Sequence, residues 1–128
     1  MNYQIFDFVD ANGKNHIKEW SSHLQSKERG KLNKKIDSLA IYGCELFPQM
    51  LTNTPTAGIL KLRVHGNVQL RPMLCKGTVN VEQEFTLLLG AKEIGDEFEP
   101  KNADKIADTH KKELICNFKL RKEHETVS

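Results

Sequence analysis

The feature that most constrains the fold of this chain is a series of three strand-like segments between Gly58 and Pro100. The segments span residues 58 to 65, 68 to 75 and 81 to 90, and they are joined at His65-Gly66-Asn67 and Lys76-Gly77. Consecutive strands joined in this way lie side by side in a meander. We therefore expect a three-stranded meander in the centre of the fold.

The first two segments carry a cluster of cations and no acid. These cations are Lys61, Arg63, Arg71 and Lys76. Because side chains alternate along a strand, Lys61, Arg63 and His65 are expected on one face and the apolar residues between them on the other. The sequence thus predicts a sheet with one core-forming face and one cationic face.

Strand and helix patterns surround the meander. The opening residues 3 to 10 alternate as a strand does and end at the turn-forming pair Asn12-Gly13. Apolar residues at helical spacing predict a short helix from His16 and a longer one that is capped by Ser26 and stopped by Gly43. Residues 44 to 57 are expected to be irregular.

Two further features complete the predicted topology. Pro72 lies inside the second strand segment, and because proline cannot donate to a strand ladder, it indicates a bulge or an edge. Apolar residues at helical spacing between Ala103 and Phe118 predict a C-terminal helix, with residues 119 to 128 forming a frayed tail. The order strand, helix, helix, three strands, helix is typical of an α+β domain.

We therefore predict a small antiparallel sheet formed by the N-terminal strand and the meander. Two N-terminal helices are expected on one face, together with a C-terminal helix, and the other face is left for function. A length of 128 residues fits one domain covering 1–128. No apolar run approaches the roughly 20 residues of a membrane-spanning helix, and the N-terminus lacks a signal sequence, so we expect a cytoplasmic protein without a membrane partner.

The cysteines and histidines show no ligand spacing. Cys44, Cys75 and Cys116 are far apart without a CxxC pair, so we expect them to be reduced and buried. The five histidines also lack a paired spacing such as HExxH. No metal and no cofactor are therefore expected.

The residues of the meander resemble the RelE/HigB superfamily of bacterial toxins, in particular its phage-derived, Gp49-like branch. The matching positions are Lys61-Leu62-Arg63, Arg71, the apolar run Leu87 to Gly90, and Lys92. The resemblance implies a RelE-like fold and the toxin component of a type II toxin–antitoxin pair. Such a toxin is a metal-independent endoribonuclease that cleaves mRNA, commonly on the ribosome, and a helix-turn-helix antitoxin holds it inactive.

The resemblance also suggests roles for individual residues. Lys61, Arg63 and Arg71 would stabilise the charge of the phosphorane transition state, and Lys92 would join them or protonate the leaving group. Histidine titrates near neutral pH, so His65 is a candidate acid or base. A second group would bind RNA through charge or stacking: Lys31, Lys34, Lys35, Lys76 and Phe98.

Each of these residues also has a plain structural interpretation. A cationic strand face can be merely solvated, and Arg71 can pair with Glu82 or Glu84 instead of a phosphate. His65 can be an exposed turn residue, and Lys92 can form only a surface ion pair with Glu93.

Two departures from the family pattern support a second functional hypothesis. The loop from 93 to 99 is acidic, and Phe98 stands where many relatives carry a tyrosine or histidine. Phenylalanine can stack on a base but cannot transfer protons. The alternative is therefore a catalytically inactive, phage-related accessory protein of the same fold that binds RNA or another protein.

Overall fold

A computed structural model describes residues 2 to 77 and 80 to 128. Within these ranges the chain forms three α-helices, one 3₁₀ turn and nine short strands. The helices are α1 (His16–Ser22), α2 (Ser26–Tyr42) and α3 (Ala103–Cys116), and the 3₁₀ turn is Gly43–Leu46. The strands are β1 (Gln4–Phe8), β2 (Leu51–Asn53), β3 (Leu60–Leu62), β4 (Gln69–Leu70), β5 (Met73–Lys76), β6 (Glu84–Leu89), β7 (Lys92–Ile94), β8 (Glu97–Glu99) and β9 (Arg121–Glu123).

The strands form two sheets. The larger sheet has the order β2-β3-β5-β6-β1-β9, and a smaller one has the order β4-β7-β8. The α+β class is confirmed, but the fully antiparallel sheet is wrong, because β1 runs parallel to β6 with Ile5 opposite Phe85. Two α-helices, the 3₁₀ turn and four strands separate β1 from β6 in the chain, which gives the length that a parallel crossover needs.

Pro72 divides the second predicted strand in two. Its carbonyl oxygen accepts a hydrogen bond from the Leu62 amide at 3.0 Å, and the register of β5 against β6 shifts between Met73 and Leu74. The sequence predicted a bulge or an edge at Pro72, and the strand is indeed interrupted there by a shift of register. The consequence is that β4 leaves the larger sheet and pairs with β7.

The acidic segment after β6 is a hairpin, whereas the sequence analysis treated it as a loop. Strands β7 and β8 pair through Lys92–Glu99, Glu93–Phe98 and Ile94–Glu97. Gly95 lies in the connecting turn with φ of 63°, a conformation that glycine adopts without steric cost. The hairpin fixes which acidic side chains point to which face.

Helix ends follow the predicted signals with one correction. The Asn15 side chain caps α1 by accepting the Lys18 amide at 3.0 Å. Ser26 was predicted as the cap of α2, but it is the first helical residue, and Gln25 occupies the cap position without a side-chain hydrogen bond. Gly43 ends α2 at φ of 53°, and a Cβ there would collide with the Tyr3 ring.

Helices cover both faces of the larger sheet. On one face, Ile17 of α1 and Leu32 of α2 belong to a core with the apolar side of β3, β5 and β6. On the other face, Ala107 and Leu114 of α3 pack against Phe8 and Leu88. The expectation of an open functional face is therefore wrong over the centre of the sheet, because α3 buries the apolar residues there.

Part of the segment after α3 forms a strand, so the prediction of a frayed tail from 119 to 128 is wrong for residues 121 to 123. Strand β9 pairs antiparallel with β1, and Arg121 donates to Glu84 Oε1 at 2.8 Å. The Arg121 guanidinium also lies 4.0 Å from the centre of the Phe6 ring. These contacts hold the segment against β1 and Glu84.

The three helices are also too short or too polar to span a membrane, and none of the described residues forms a helix that could do so.

Candidate functional site

Two of the predicted catalytic cations meet on one carboxylate oxygen. Lys61 Nζ lies 3.3 Å and Arg71 Nε 3.0 Å from Oε1 of Glu93. The side chains of Lys61 and Arg71 are only 13% and 8% exposed, whereas that of Glu93 is 25% exposed. The acid therefore lies at the open side of a largely buried cationic pair.

The smaller sheet positions the acid and its neighbours. Gln69, Glu93 and Phe98 lie directly opposite one another across β4, β7 and β8, so their side chains share one face. Lys61 reaches this face from β3, with Nζ 5.1 Å from the centre of the Phe98 ring. We call Lys61, Gln69, Arg71, Glu93 and Phe98 the Glu93 cluster.

Arg71 is held at both ends. Its backbone amide donates to the Ala91 carbonyl at 2.7 Å, and Nη1 donates to the Leu70 carbonyl at 2.8 Å. Nη2 donates to Oε1 of Gln69 at 3.3 Å. The guanidinium is thus fixed before any ligand arrives, which reduces the entropy cost of binding an anion.

Gln69 connects the cluster to His65. The Gln69 amide nitrogen donates to the Gly66 carbonyl at 3.0 Å, so its oxygen faces the other way and lies 3.2 Å from His65 Nδ1. Because that oxygen can only accept, Nδ1 is the protonated nitrogen in this contact. His65 itself is exposed. Nε2 is therefore the ring nitrogen left for a ligand.

The cations set the charge state of Glu93. Burial raises the pKa of its carboxyl group, but Lys61 and Arg71 together outweigh burial and hold this pKa below its ordinary value. Glu93 is therefore ionised at neutral pH. Two cations and one anion leave the group with one net positive charge.

Arg63 and two of the predicted RNA-binding lysines lie beside the cluster. The Arg63 amide donates to the Met50 carbonyl at 2.7 Å, and Lys35 Nζ lies 3.3 Å from the sulfur of Met50. Lys31 Nζ lies against Gly66, next to His65. Lys34 is exposed on α2. In the described part of the chain, no acid forms an ion pair with these four cations.

Lys92 and Lys76 lie elsewhere. Lys92 is adjacent to Glu93 on β7 and so points to the opposite face, into a groove with Trp20, His23 and Pro100. Lys76 ends β5, five residues from Arg71, which corresponds to roughly 16 Å at the usual rise per residue. It borders a separate groove of about 600 Å³. The structure therefore does not bring these two lysines to the Glu93 cluster.

The structure also answers two alternatives from the sequence. Arg71 does pair with an acid, but the acid is Glu93 and not Glu82 or Glu84. Among the described residues, Lys92 forms no ion pair with Glu93. The sequence analysis missed Glu93 and Gln69 as site residues. The alternation in Lys92–Glu99 around Gly95 could have shown that Glu93 and Phe98 share a face.

Other polar groups of the chain have structural explanations. His110 is a packing residue, since its Nδ1 donates to the Leu88 carbonyl at 2.8 Å and its ring stacks on Phe8 with the ring centres 4.7 Å apart. Of the three free cysteines only Cys75 is buried, so the prediction that all three are buried is wrong. No group of three or more potential ligands in the described ranges could hold a metal ion.

Comparison with known proteins identifies no relative of this chain. The chain matches no protein-family model, no curated protein and no solved structure. The geometry of the Glu93 cluster and the resemblance of the meander residues to the RelE/HigB superfamily are therefore the two indications of function.

Proposed function

We propose that this protein is a RelE/HigB-type toxin, a metal-independent endoribonuclease that cleaves mRNA. The observation that supports the proposal most directly is the meeting of Lys61 and Arg71, which come from different strands, on one oxygen atom. A phosphate oxygen has the same charge and bonding capacity as that carboxylate oxygen. The cationic pair is therefore suited to a phosphodiester.

RNA can be cleaved by its own 2′-hydroxyl group. The 2′-oxygen attacks the adjacent phosphorus, the bond from phosphorus to the 5′-oxygen breaks, and a 2′,3′-cyclic phosphate and a 5′-hydroxyl result. The enzyme must accept the 2′-proton, stabilise the negative charge on the phosphorane and protonate the departing 5′-oxygen.

The residues around the cluster can be given parts in this reaction. Lys61 and Arg71 bind the non-bridging phosphate oxygens and stabilise their charge. His65, held through Nδ1, donates a proton from Nε2 to the 5′-oxygen when its ring is in the doubly protonated imidazolium form. Phe98 offers a ring on which a base can stack beside Lys61. In this proposal, Lys92 takes no part in the chemical step.

The cations of α2 give the RNA a path to the site. Lys31 and Lys35 lie on the side of α2 that meets the segment carrying Arg63 and His65, and Lys34 is exposed nearby on α2. Together they would bind flanking phosphates of mRNA or of ribosomal RNA without reading sequence. A helix-turn-helix antitoxin that covers this cationic surface would block the site.

Expression in a bacterial host tests the proposal. The wild-type chain should inhibit growth and yield new 5′-hydroxyl ends in mRNA, and Lys61→Gln combined with Arg71→Gln should abolish both effects. Lys92→Gln is the matched control, since it removes a cation from the opposite face of β7 and should leave both effects intact. Circular dichroism checks that each variant is folded. The toxin proposal fails if the wild type neither slows growth nor cleaves mRNA with ribosomes present.

One observation favours the second candidate, an inactive RNA-binding accessory protein. Lys61 and Arg71 are already paired with Glu93, which competes with a phosphate for them. Binding to single-stranded RNA over a salt series separates the two candidates. Three to five phosphate contacts predict a slope of log K against log salt of about −2 to −3.5. Such a slope without cleavage supports the accessory protein.

A further inference from the structure

We infer that Glu93 is the general base that accepts the 2′-hydroxyl proton, so that the acid of the cluster is a catalytic residue. The inference depends on the endoribonuclease function proposed above and supplies the one role that function leaves open. It also gives a role to one acid of the 93 to 99 segment, whose acidity departs from the family pattern.

The two carboxylate oxygens of Glu93 are in different situations. Oε1 accepts from both Lys61 and Arg71, whereas no described residue hydrogen-bonds to Oε2. The side chain is a quarter exposed. One oxygen thus anchors the group beside the phosphate-binding cations, and the other remains able to take a proton from a bound ligand.

The chain contains an internal contrast to this arrangement. Glu84 is also paired with an arginine, but its side chain is 8% exposed, and Oε1 accepts from both Arg121 and the Asn80 amide. Glu84 is enclosed, as expected of a structural ion pair. The side chain of Glu93 is partly exposed, and Lys61 and Arg71 together carry one more unit of positive charge than Glu93 neutralises.

The backbone also fixes Glu93 more firmly than a loop would. It is the central residue of β7, which pairs with β4 on one side and β8 on the other. Precise positioning of a base matters because proton transfer needs heavy atoms about 2.6–3.2 Å apart. A residue on a paired strand meets this need better than one on a free loop.

Binding of RNA would make Glu93 a better base. A phosphate that takes over the contacts of Lys61 and Arg71 weakens their hold on Oε1. The carboxylate then loses some of the stabilisation of its charged form and gains proton affinity. In the step itself the 2′-proton moves to Oε2 as the 2′-oxygen bonds to phosphorus, while His65 returns a proton to the departing 5′-oxygen.

Glu93→Gln tests the inference, since it keeps the shape of the side chain and removes its ability to accept a proton. Cleavage of a short RNA should fall by about 100-fold to 10,000-fold. Affinity for the same oligonucleotide with a 2′-deoxy residue at the cleavage position should stay the same or increase, because a negative charge has been removed. Glu97→Gln, on β8 of the same hairpin, is the matched control and should cleave as the wild type does.

A second variant keeps the test valid if Glu93→Gln does not fold. Glu93→Asp retains the carboxylate and the charge balance but withdraws the oxygens by one methylene, and its rate should fall by about 10-fold to 100-fold. The inference is wrong if the wild type cleaves and either folded variant cleaves within threefold of it. If instead the wild type cleaves no RNA, the proposed function fails, and this inference fails with it.

Discussion

Replacement of Arg121 by alanine should lower the free energy of unfolding by about 3 kcal/mol. Arg121 is 16% exposed, and its partner Glu84 is 8% exposed at 2.8 Å, so the substitution leaves a carboxylate in a poorly solvated position. Removal of one member of a buried pair costs about 3–5 kcal/mol. We take the lower end because Glu84 keeps the Asn80 amide at 3.4 Å. The contact of Arg121 with the Phe6 ring, 4.0 Å away, is lost as well.

Urea denaturation followed by circular dichroism measures this change. A loss of 3 kcal/mol is a large part of the roughly 5–15 kcal/mol that stabilises a typical domain, and it should lower the melting temperature by about 12 °C. Lys122→Ala is the control on the same strand. Lys122 and Glu125 are 3.8 Å apart and 47% and 68% exposed, so this change should cost at most about 0.5 kcal/mol.

A double variant separates two contributions to the lost stability: the unpaired carboxylate of Glu84 and the packing lost with the Arg121 side chain. Glu84→Gln added to Arg121→Ala should recover about 1–2 kcal/mol, because the amide needs less solvation than the carboxylate. The reasoning is refuted if Arg121→Ala costs less than about 1 kcal/mol, or if Lys122→Ala costs as much. Strand β9 would then be held by its backbone pairing alone.

Two further predictions concern titratable groups. Lys61 and Arg71 outweigh the effect of burial and lower the pKa of Glu93 in the folded state. Ionisation of Glu93 therefore stabilises the fold at pH values above its ordinary pKa of 4.5. This contribution is lost as the pH falls through the lowered pKa. The difference in melting temperature between wild type and Glu93→Gln should therefore shrink between pH 6 and pH 3; a constant difference would contradict the pairing. Burial raises the pKa of Cys75 to about 11, whereas Cys44 and Cys116 are exposed. Ellman's reagent at pH 8 should thus react quickly with two thiols per folded chain and with the third only in denaturant, and three fast thiols would show that Cys75 is accessible.

The elements with strong local patterns could be predicted from the sequence. The helical spacing of Leu32, Ile36 and Leu39 gave α2 to within a residue, because the buried face of a helix repeats along the chain. Pro72 indicated a bulge for a local reason, its missing amide hydrogen. In contrast, the parallel pairing of β1 with β6 depends on residues far apart in the chain, and no local pattern encodes it.

The candidate site was predicted only in part for the same reason. Alternation placed Lys61 on the functional side, but it could not show that Glu93 would face it from another sheet. Its neighbour Lys92 was the predicted site residue because it matches a lysine of the family pattern. The turn at Gly95 decides between them, since it pairs β7 with β8 and sets which of the two adjacent side chains faces Lys61.

The position of β1 between β6 and β9 has a consequence for how the protein folds during synthesis. Both neighbours of β1 follow it at long distance in the chain, since Ile5 pairs with Phe85, 80 residues later, and Phe8 pairs with Arg121, 113 residues later. Contacts between such distant residues make folding slow compared with local pairing. During translation β1 therefore stays unpaired until β6 has been synthesised. The Glu93 cluster also forms late, because it needs the pairing of β4 with β7. The Glu93 cluster therefore exists only once the chain has been synthesised through Phe98 on β8.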